Sequence, residues 1–378
     1  MNNSDILQLF GRIFIFILAF AFWFTLAEVI YRHYAKNYYP AAMGGATTLT
    51  HTPKPYVMFT ATPGGIFYGK PINKLGYRGL LPTLVKPKDE FRIFILGASF
   101  GFYGKPSFSE ILQNLLNSNG YTNVKVFNYS IESSVSRQDL ARLVFDVAGS
   151  QPDLVISFSG ATDLFDDVLD PRINYPHRFI YYQSNPAFTS DVKDYKWFAS
   201  LALGSKILRD LFPDLIYNSM TAGVIPENYP KRDEIREVLA KAYVQNLRLS
   251  QMFARNLGAR YIAIFPPCIH YKKYLTAAEQ PILLAGQLEL AARVRSIRDT
   301  ELAKFNDLNF YDWSAIFQDN RETIFNDLFH ATPHGLEIIG QQLFSLVKVE
   351  IKKQQTEKLS GHLNPLVQNL NPEEILTY

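Results

Sequence analysis

Two hydrophobic patterns divide this chain. Near its start, residues 13–31 (IFIFILAFAFWFTLAEVIY) are almost continuously apolar between Arg12 and Arg32, with only Thr25 and Glu28 plainly polar. At about 1.5 Å rise per residue, such a helix nearly spans a hydrocarbon core, and Trp23 and Tyr31 suit its interfaces. A transmembrane anchor over residues 13–31 is therefore expected, behind a short tail of residues 1–12. The competing reading is a cleaved signal peptide, for which Thr25-Leu26-Ala27 offers a small-residue site. The length of the apolar run favours the anchor. Arg32, His33 and Lys36 follow the span against Arg12 before it, a bias toward a cytoplasmic C-terminal side. Large domains cross largely regardless of so small an imbalance, so an extracytoplasmic domain at the periplasm or cell surface is expected.

After the span, residues 32–88 are rich in Pro, Gly, Thr and Tyr and carry no helical period, which predicts an irregular stem. Within it, NKLGYRG (residues 73–79) reads as a structured turn. From Phe91 onward short apolar runs alternate with amphipathic ones. FRIFIL, NVKVFNYS, PDLVISFSG, RYIAIFPP and LNFYDW read as strands. Between them, SFSEILQNLLNSNG (capped by Ser107 or Ser109 and stopped by Gly120), SRQDLARLVFDVAG, RDEIREVLAKAYVQNLRLSQMFARNLG, EQPILLAGQLELAARVRSIRDTELAKF and PHGLEIIGQQLFSLVKVEI read as helices. This alternation predicts an α/β domain over residues 89–352, a mainly parallel sheet covered on both faces. Residues 164–230, aromatic- and Pro-rich, interrupt the alternation as an insertion over the strand ends, and residues 353–378 read as a flexible polar tail.

Composition narrows the function classes. The 378 residues are 47% apolar and 19% charged, an ordinary globular balance. A net charge of +3 with no Lys/Arg-rich block gives no support to nucleic-acid binding. The single cysteine, Cys268, excludes an internal disulfide and a Cys-rich zinc site, and it reads as a buried small hydrophobe. No Walker lysine loop and no G-x-G-x-x-G run is present, so nucleotide chemistry has no support, and no cofactor is expected. Asp163, Asp166, Asp167 and Asp170 read as a solvated helix start in preference to a calcium site, since no EF-hand-like glycine pattern accompanies them.

Ser99 sits in LGASFGFYG, where a buried strand enters a glycine-flanked turn at the binding end of such a sheet. A serine nucleophile needs a base, a group that orients the base, and donors for the oxyanion. Of seven histidines, His33 and His51 adjoin the stem, His362 is in the tail, and His177 and His270 have no acid at useful spacing. In NDLFHATPHG, Asp327 precedes His330 by one turn of chain and can fix its tautomer, with His334 four residues on. By itself Asp-x-x-His is a weak pattern, and without other support a helix-start Asp beside a surface His is the better explanation.

Order and position add support. Gly97-Ala98-Ser99-Phe100-Gly101 matches the G-x-S-x-G elbow of α/β-hydrolases. Yet Ser99 follows the first strand of the domain, and Asp327 and His330 lie together before the last helix. In both respects the chain resembles the SGNH, or GDSL, hydrolase superfamily. LGASFGFYG resembles its serine block, VFNYSIESSVS the second, SFSGATDL the third and DLFHATPHG the last, while NKLGYRG resembles the lead-in of membrane-anchored bacterial members. The resemblance implies a three-layer, flavodoxin-like α/β/α fold. It also implies Ser99 as nucleophile, His330 as general base and Asp327 as its orienter. The oxyanion donors would be the Ser99 backbone N–H, the Ser130 N–H and the Thr162 side chain. Three positions depart from the family pattern: Ala98 for Asp, Ser130 for Gly and Thr162 for Asn. The implied function is an esterase removing O-acyl groups, acetyl among them, from an envelope or exported glycan. Two alternatives stand beside it: acyl transfer onto a glycan by the same triad, and a catalytically degenerate domain acting as a glycan-binding or assembly protein of the envelope.

Overall fold

The computed structural model describes residues 3–35, 51–67, 70–132, 134–165, 232–283 and 286–359. They fall into two units: α1 (Asn3–Ala35) belongs to one, and every described residue from His51 onward to the other. Within α1, Gln8–Tyr31 has a mean hydropathy of 2.5, long and apolar enough by itself to cross a membrane.

The second unit is built on β5 (Phe91–Gly97), β6 (Val124–Asn128), β7 (Leu154–Phe158), β8 (Arg260–Phe265) and β9 (Phe310–Asp312). They pair in parallel in the order β6-β5-β7-β8-β9. This is the mainly parallel α/β sheet expected from the sequence. β5 and β7 are buried at every position, as strands covered on both faces must be. The strand period of two sorts their side chains. Ile93 and Ile95 join Leu112 and Leu116 of α3 (Phe108–Ser118) and Leu336, Ile339, Leu343 and Val347 of α8 (Pro333–Leu359) in one core. The opposite face carries α4 (Ser136–Arg142), α6 (Arg232–Asn256) and α7 (Gln287–Leu302). Ser107 is the α3 cap: its N–H bonds Glu110 Oε2 at 2.9 Å while its hydroxyl takes the Glu110 N–H.

Four local expectations change. The run 279–305 is not one helix: a separate 3-10 turn, Gln280–Ile282, holds Pro281 in its first positions, and Gly286 (φ +82°) resets the chain before α7. α4 does not continue regularly to Gly149 but passes into a π turn at Leu143–Val147. α8 runs beyond residue 353 to Leu359, since Gln354 stays buried and donates to Gly258 O at 2.8 Å. The remainder of the tail, and the expected insertion beyond Phe165, lie outside the described residues.

The fourth concerns the stem. Residues 32–35 continue α1, and the other described stem residues, 51–67 and 70–88, are folded onto the sheet domain. β1 (His51–Lys54) pairs with β2 (Met58–Ala61), and β3 (Ile66–Phe67) with β4 (Lys70–Pro71). Val57, Phe59, Phe67, Ile72 and Tyr77 are buried. Inside NKLGYRG, Tyr77 stacks on Tyr129 at 4.1 Å between centroids. Arg78, 2% exposed, donates to Phe102 O at 2.9 Å and to Glu110 Oε2 at 2.7 Å. The turn thereby ties the stem to the start of α3 and to the segment that follows Ser99. Removing one partner of such a pair costs about 3 kcal/mol or more. Arg78→Met should lower the thermal midpoint by roughly 5–10 °C. A shift under roughly 1 °C in differential scanning calorimetry would place this turn outside the cooperative fold.

Candidate active site

Reading the five strands from β5, their order is 2-1-3-4-5. The chain leaves β5 and β7 toward opposite edges of the sheet, and a crevice opens beyond their C-terminal ends. Ser99 opens α2 (Ser99–Phe102) directly behind β5. Two constraints fix this turn. Gly97 has φ +152°, and a Cβ there would lie 2.4 Å from Phe158 O, so the neighbouring strand leaves room only for glycine. Its carbonyl accepts from Ile131 N at 3.0 Å, Ser134 Oγ at 2.9 Å and Arg142 Nη2 at 3.2 Å. Arg142 is fully buried and paired with Asp139. The Ser99 N–H heads α2, where no carbonyl one turn earlier is available to it.

Asp327 and His330 arrive from the far end of the domain. The loop closes on itself through Asn326 N to His330 O at 2.8 Å and a Phe325–Ala331 bridge. Asp327 Oδ1 accepts the N–H groups of Phe329 (2.9 Å) and His330 (2.8 Å). Its Oδ2 lies 2.6 Å from His330 Nδ1, and His330 Nε2 lies 2.8 Å from Ser99 Oγ. Burial alone would raise the Asp327 carboxyl. The bond and charge of His330 and the two backbone N–H groups outweigh it and hold the carboxyl below its usual range. An ionised Asp327 can only accept, so Nδ1 carries the proton and Nε2 is left to accept from Ser99. Tyr103 packs its ring 4.7 Å from that of His330 and donates its hydroxyl to Glu132.

Ser99, Tyr103 and His330 border a cavity of about 190 Å³, with Asp327 behind His330. Ala98, Phe158, Ala161, Pro266 and Phe329 supply its apolar walls, and Thr162, at the start of α5 (Ala161–Leu164), also lines it. Phe100 and Phe108 pack against Phe158 at 5.2 and 4.9 Å and make its base rigid. The structure thus brings together Ser99, Asp327, His330 and Thr162.

Ser130 is the correction. It is completely buried and does not border the cavity. Its N–H is used by Asn128 Oδ1 at 3.0 Å, and its Oγ would lie 2.2 Å from a Cβ built on Gly101. It is packing behind α2, not an oxyanion donor. Tyr103 and Phe329 were missed by the sequence reading, although both sit inside the quoted serine and histidine blocks. Only their contact with the cavity distinguishes them from core aromatics.

The other candidates stay apart. His334 pairs with Glu322 at 2.6 Å on the surface. His270 is buried against Phe165 and Phe329, which lowers its pKa to about 4 and leaves it neutral. Burial pushes the Cys268 thiol well up, away from thiolate chemistry. No cluster of metal-ligating side chains occurs among the described residues; Asp166, Asp167 and Asp170 lie outside them.

Asp163, next to Thr162, turns its carboxylate inward. Oδ1 accepts from Ser136 N (3.0 Å) and Ser136 Oγ (2.6 Å), and Asn246 of α6 donates to that Oγ at 3.0 Å. Burial raises the Asp163 pKa to about 7, against the lowering effect of the Ser136 bonds. In the unfolded chain it ionises near pH 4, about 3 units lower. Folding therefore binds a proton across that window, and the stability linked to Asp163 is full below about pH 4 and falls as pH rises toward 7. Asp163→Asn, which does not titrate, should lose less stability than wild type between about pH 5 and pH 8 by urea unfolding. Parallel pH curves for the two proteins would refute the proton uptake.

No protein-family model matches the sequence, and no curated protein matches it. The chain is similar to the solved structure of an acetyl xylan esterase, AlAXEase, at 12% identity and TM-score 0.37, over 68% of this chain and 100% of that one. It is similar to an acetylxylan esterase from Geobacillus stearothermophilus at 14% identity and TM-score 0.37, over 68% and 95% of the two chains. A GDSL-like lipase from Bacteroides thetaiotaomicron is similar at 15% identity and TM-score 0.36, over 71% and 92%.

Proposed function

We propose that this chain is a serine ester hydrolase of SGNH type, with Ser99 as nucleophile, His330 as general base and Asp327 as the group that orients it. One observation carries the reading: the Ser99–His330–Asp327 relay of 2.8 and 2.6 Å at the switch point of the sheet. In this mechanism Ser99 Oγ attacks the ester carbonyl carbon and passes its proton to His330 Nε2. The negative charge on the carbonyl oxygen is met by the Ser99 N–H and the Thr162 hydroxyl. Collapse expels the alcohol, which takes the proton from His330, and water then repeats the sequence on the acyl-enzyme.

The cavity size argues for a small acyl group. Pockets for drug-sized ligands start at about 300 Å³, and the cavity formed by the described residues is smaller, with Phe158 and Phe329 in its walls. We propose an acetyl-sized group on an envelope or exported glycan, cleaved outside the cytoplasm by a domain tethered through α1. The length and hydropathy of α1 support the tether, and the resemblance of the sequence blocks supports the O-acyl substrate.

A fluorophosphonate probe should label the detergent-solubilised chain, and Ser99→Ala should abolish the labelling. p-Nitrophenyl acetate should be hydrolysed at least tenfold faster than the octanoate, by roughly the discrimination of a closed apolar pocket. Thr162→Val should lower kcat by about 10²-fold, the usual effect of removing an oxyanion donor. Unlabelled folded protein would favour a binding domain, and an unchanged kcat would remove Thr162 from the oxyanion site. For topology, alkaline phosphatase fused to the C-terminus should be active; activity only of a cytoplasmic reporter would overturn the location.

A further inference from the structure

The loop carrying Asp327 and His330 rests on a buried ion pair. Lys272 and Glu279 bond each other with side chains 0% exposed. Glu279 Oε1 accepts from the N–H groups of Ile324 (2.8 Å) and Phe325 (3.1 Å), on a strand of chain 45 residues away. Glu279 Oε2 accepts Lys272 Nζ, Thr276 N and Thr276 Oγ1, the last two at 3.1 Å. Lys272 Nζ also donates to Glu322 O at 2.5 Å. Just upstream, Ile269 N donates to Leu328 O at 3.1 Å. Together these bonds grip the backbone from Glu322 to Phe325, where the Asp327–His330 loop begins.

Stability does not explain the pair. Burying two charges costs more than well-packed apolar residues of the same volume, so a fold alone gains little from it. What the pair does supply is direction. The carboxylate accepts two adjacent backbone N–H groups, and apolar side chains cannot reproduce that aim. Small misplacements of reacting groups, about 1 Å, reduce turnover about 10²-fold.

We propose that Lys272 and Glu279 are positioning residues that hold the Asp327–His330 loop in register with Ser99. The proposal rests on the serine-hydrolase reading above. It therefore needs a readout that exists without turnover: the downfield Nδ1–H proton resonance of His330, assigned by its loss in His330→Ala.

The test uses the full chain in detergent, with p-nitrophenyl acetate as substrate. Lys272→Met/Glu279→Met removes both charges together and leaves neither unpaired. The expected result is a folded protein whose melting midpoint falls by several degrees, because the Ile324 and Phe325 N–H groups lose their acceptor, with KM within about twofold, kcat lower by about 10²-fold, and a His330 resonance shifted or broadened. A folded double variant with kcat within threefold of wild type and an unmoved resonance overturns the proposal. If that variant does not fold, Thr276→Val removes one hydroxyl donor from Glu279 and keeps the pair. It should lower kcat about threefold to tenfold at constant KM and shift the same resonance; an unmoved resonance and kcat overturn the proposal. If wild type neither hydrolyses the ester nor takes the fluorophosphonate, the hydrolase reading fails. The resonance then decides the positioning role by itself.

Discussion

The carbonyl oxygen of Gly97 is the point on which the site depends. It accepts three donors from the second block and from α4, one of them the guanidinium of a fully buried arginine. Those bonds turn the chain sharply at the end of β5, and the left-handed φ of Gly97 permits the turn. Ser99 then stands at the head of a one-turn helix instead of within a strand. A side chain at residue 97 would meet the backbone of β7, so the closeness of two parallel strands and the display of the serine are one constraint.

The remainder of the site is assembled by polar groups buried away from water. Arg142 holds Gly97, Ser136 and Asn246 hold Asp163 beside Thr162, and Glu279 holds the backbone ahead of Asp327. Low-dielectric surroundings make such bonds strong, and make their loss costly. They give a rigid frame beneath a loop whose Asp327 side chain is still 53% exposed. The frame underlies the partly exposed Asp327 and His330 and their hydrogen-bonded geometry toward Ser99.

Much of the fold was legible in the sequence because burial imposes period. Fully apolar strands, amphipathic helices and the cap at Ser107 follow from local rules, and the structure departs from them where Pro281, Gly286 and the π turn intervene. The stem was misread for the opposite reason. Its composition is that of a loop, and nothing local shows that Phe67 packs on Phe102 of α2 or that Tyr77 stacks on Tyr129 just after β6. Of the candidate site, Ser99, Asp327 and His330 were readable because they lie in short-range patterns, each weak by itself, whose order along the chain resembles the SGNH blocks.

Ser130 marks the limit of that reading. Its block resemblance pointed to an oxyanion donor, but a backbone N–H is a donor only if no neighbour uses it, and Asn128 does. Tyr103, Phe329 and the Lys272–Glu279 pair were invisible for a related reason: their roles come from partners tens to hundreds of residues away. The amino-acid order by itself determined the alternation of elements, the apolar first helix and the three residues of the relay. Only tertiary structure decided which hydrogen-bond donors remained free and which loop was held against Ser99, because those follow from the distances at which separate segments come to rest.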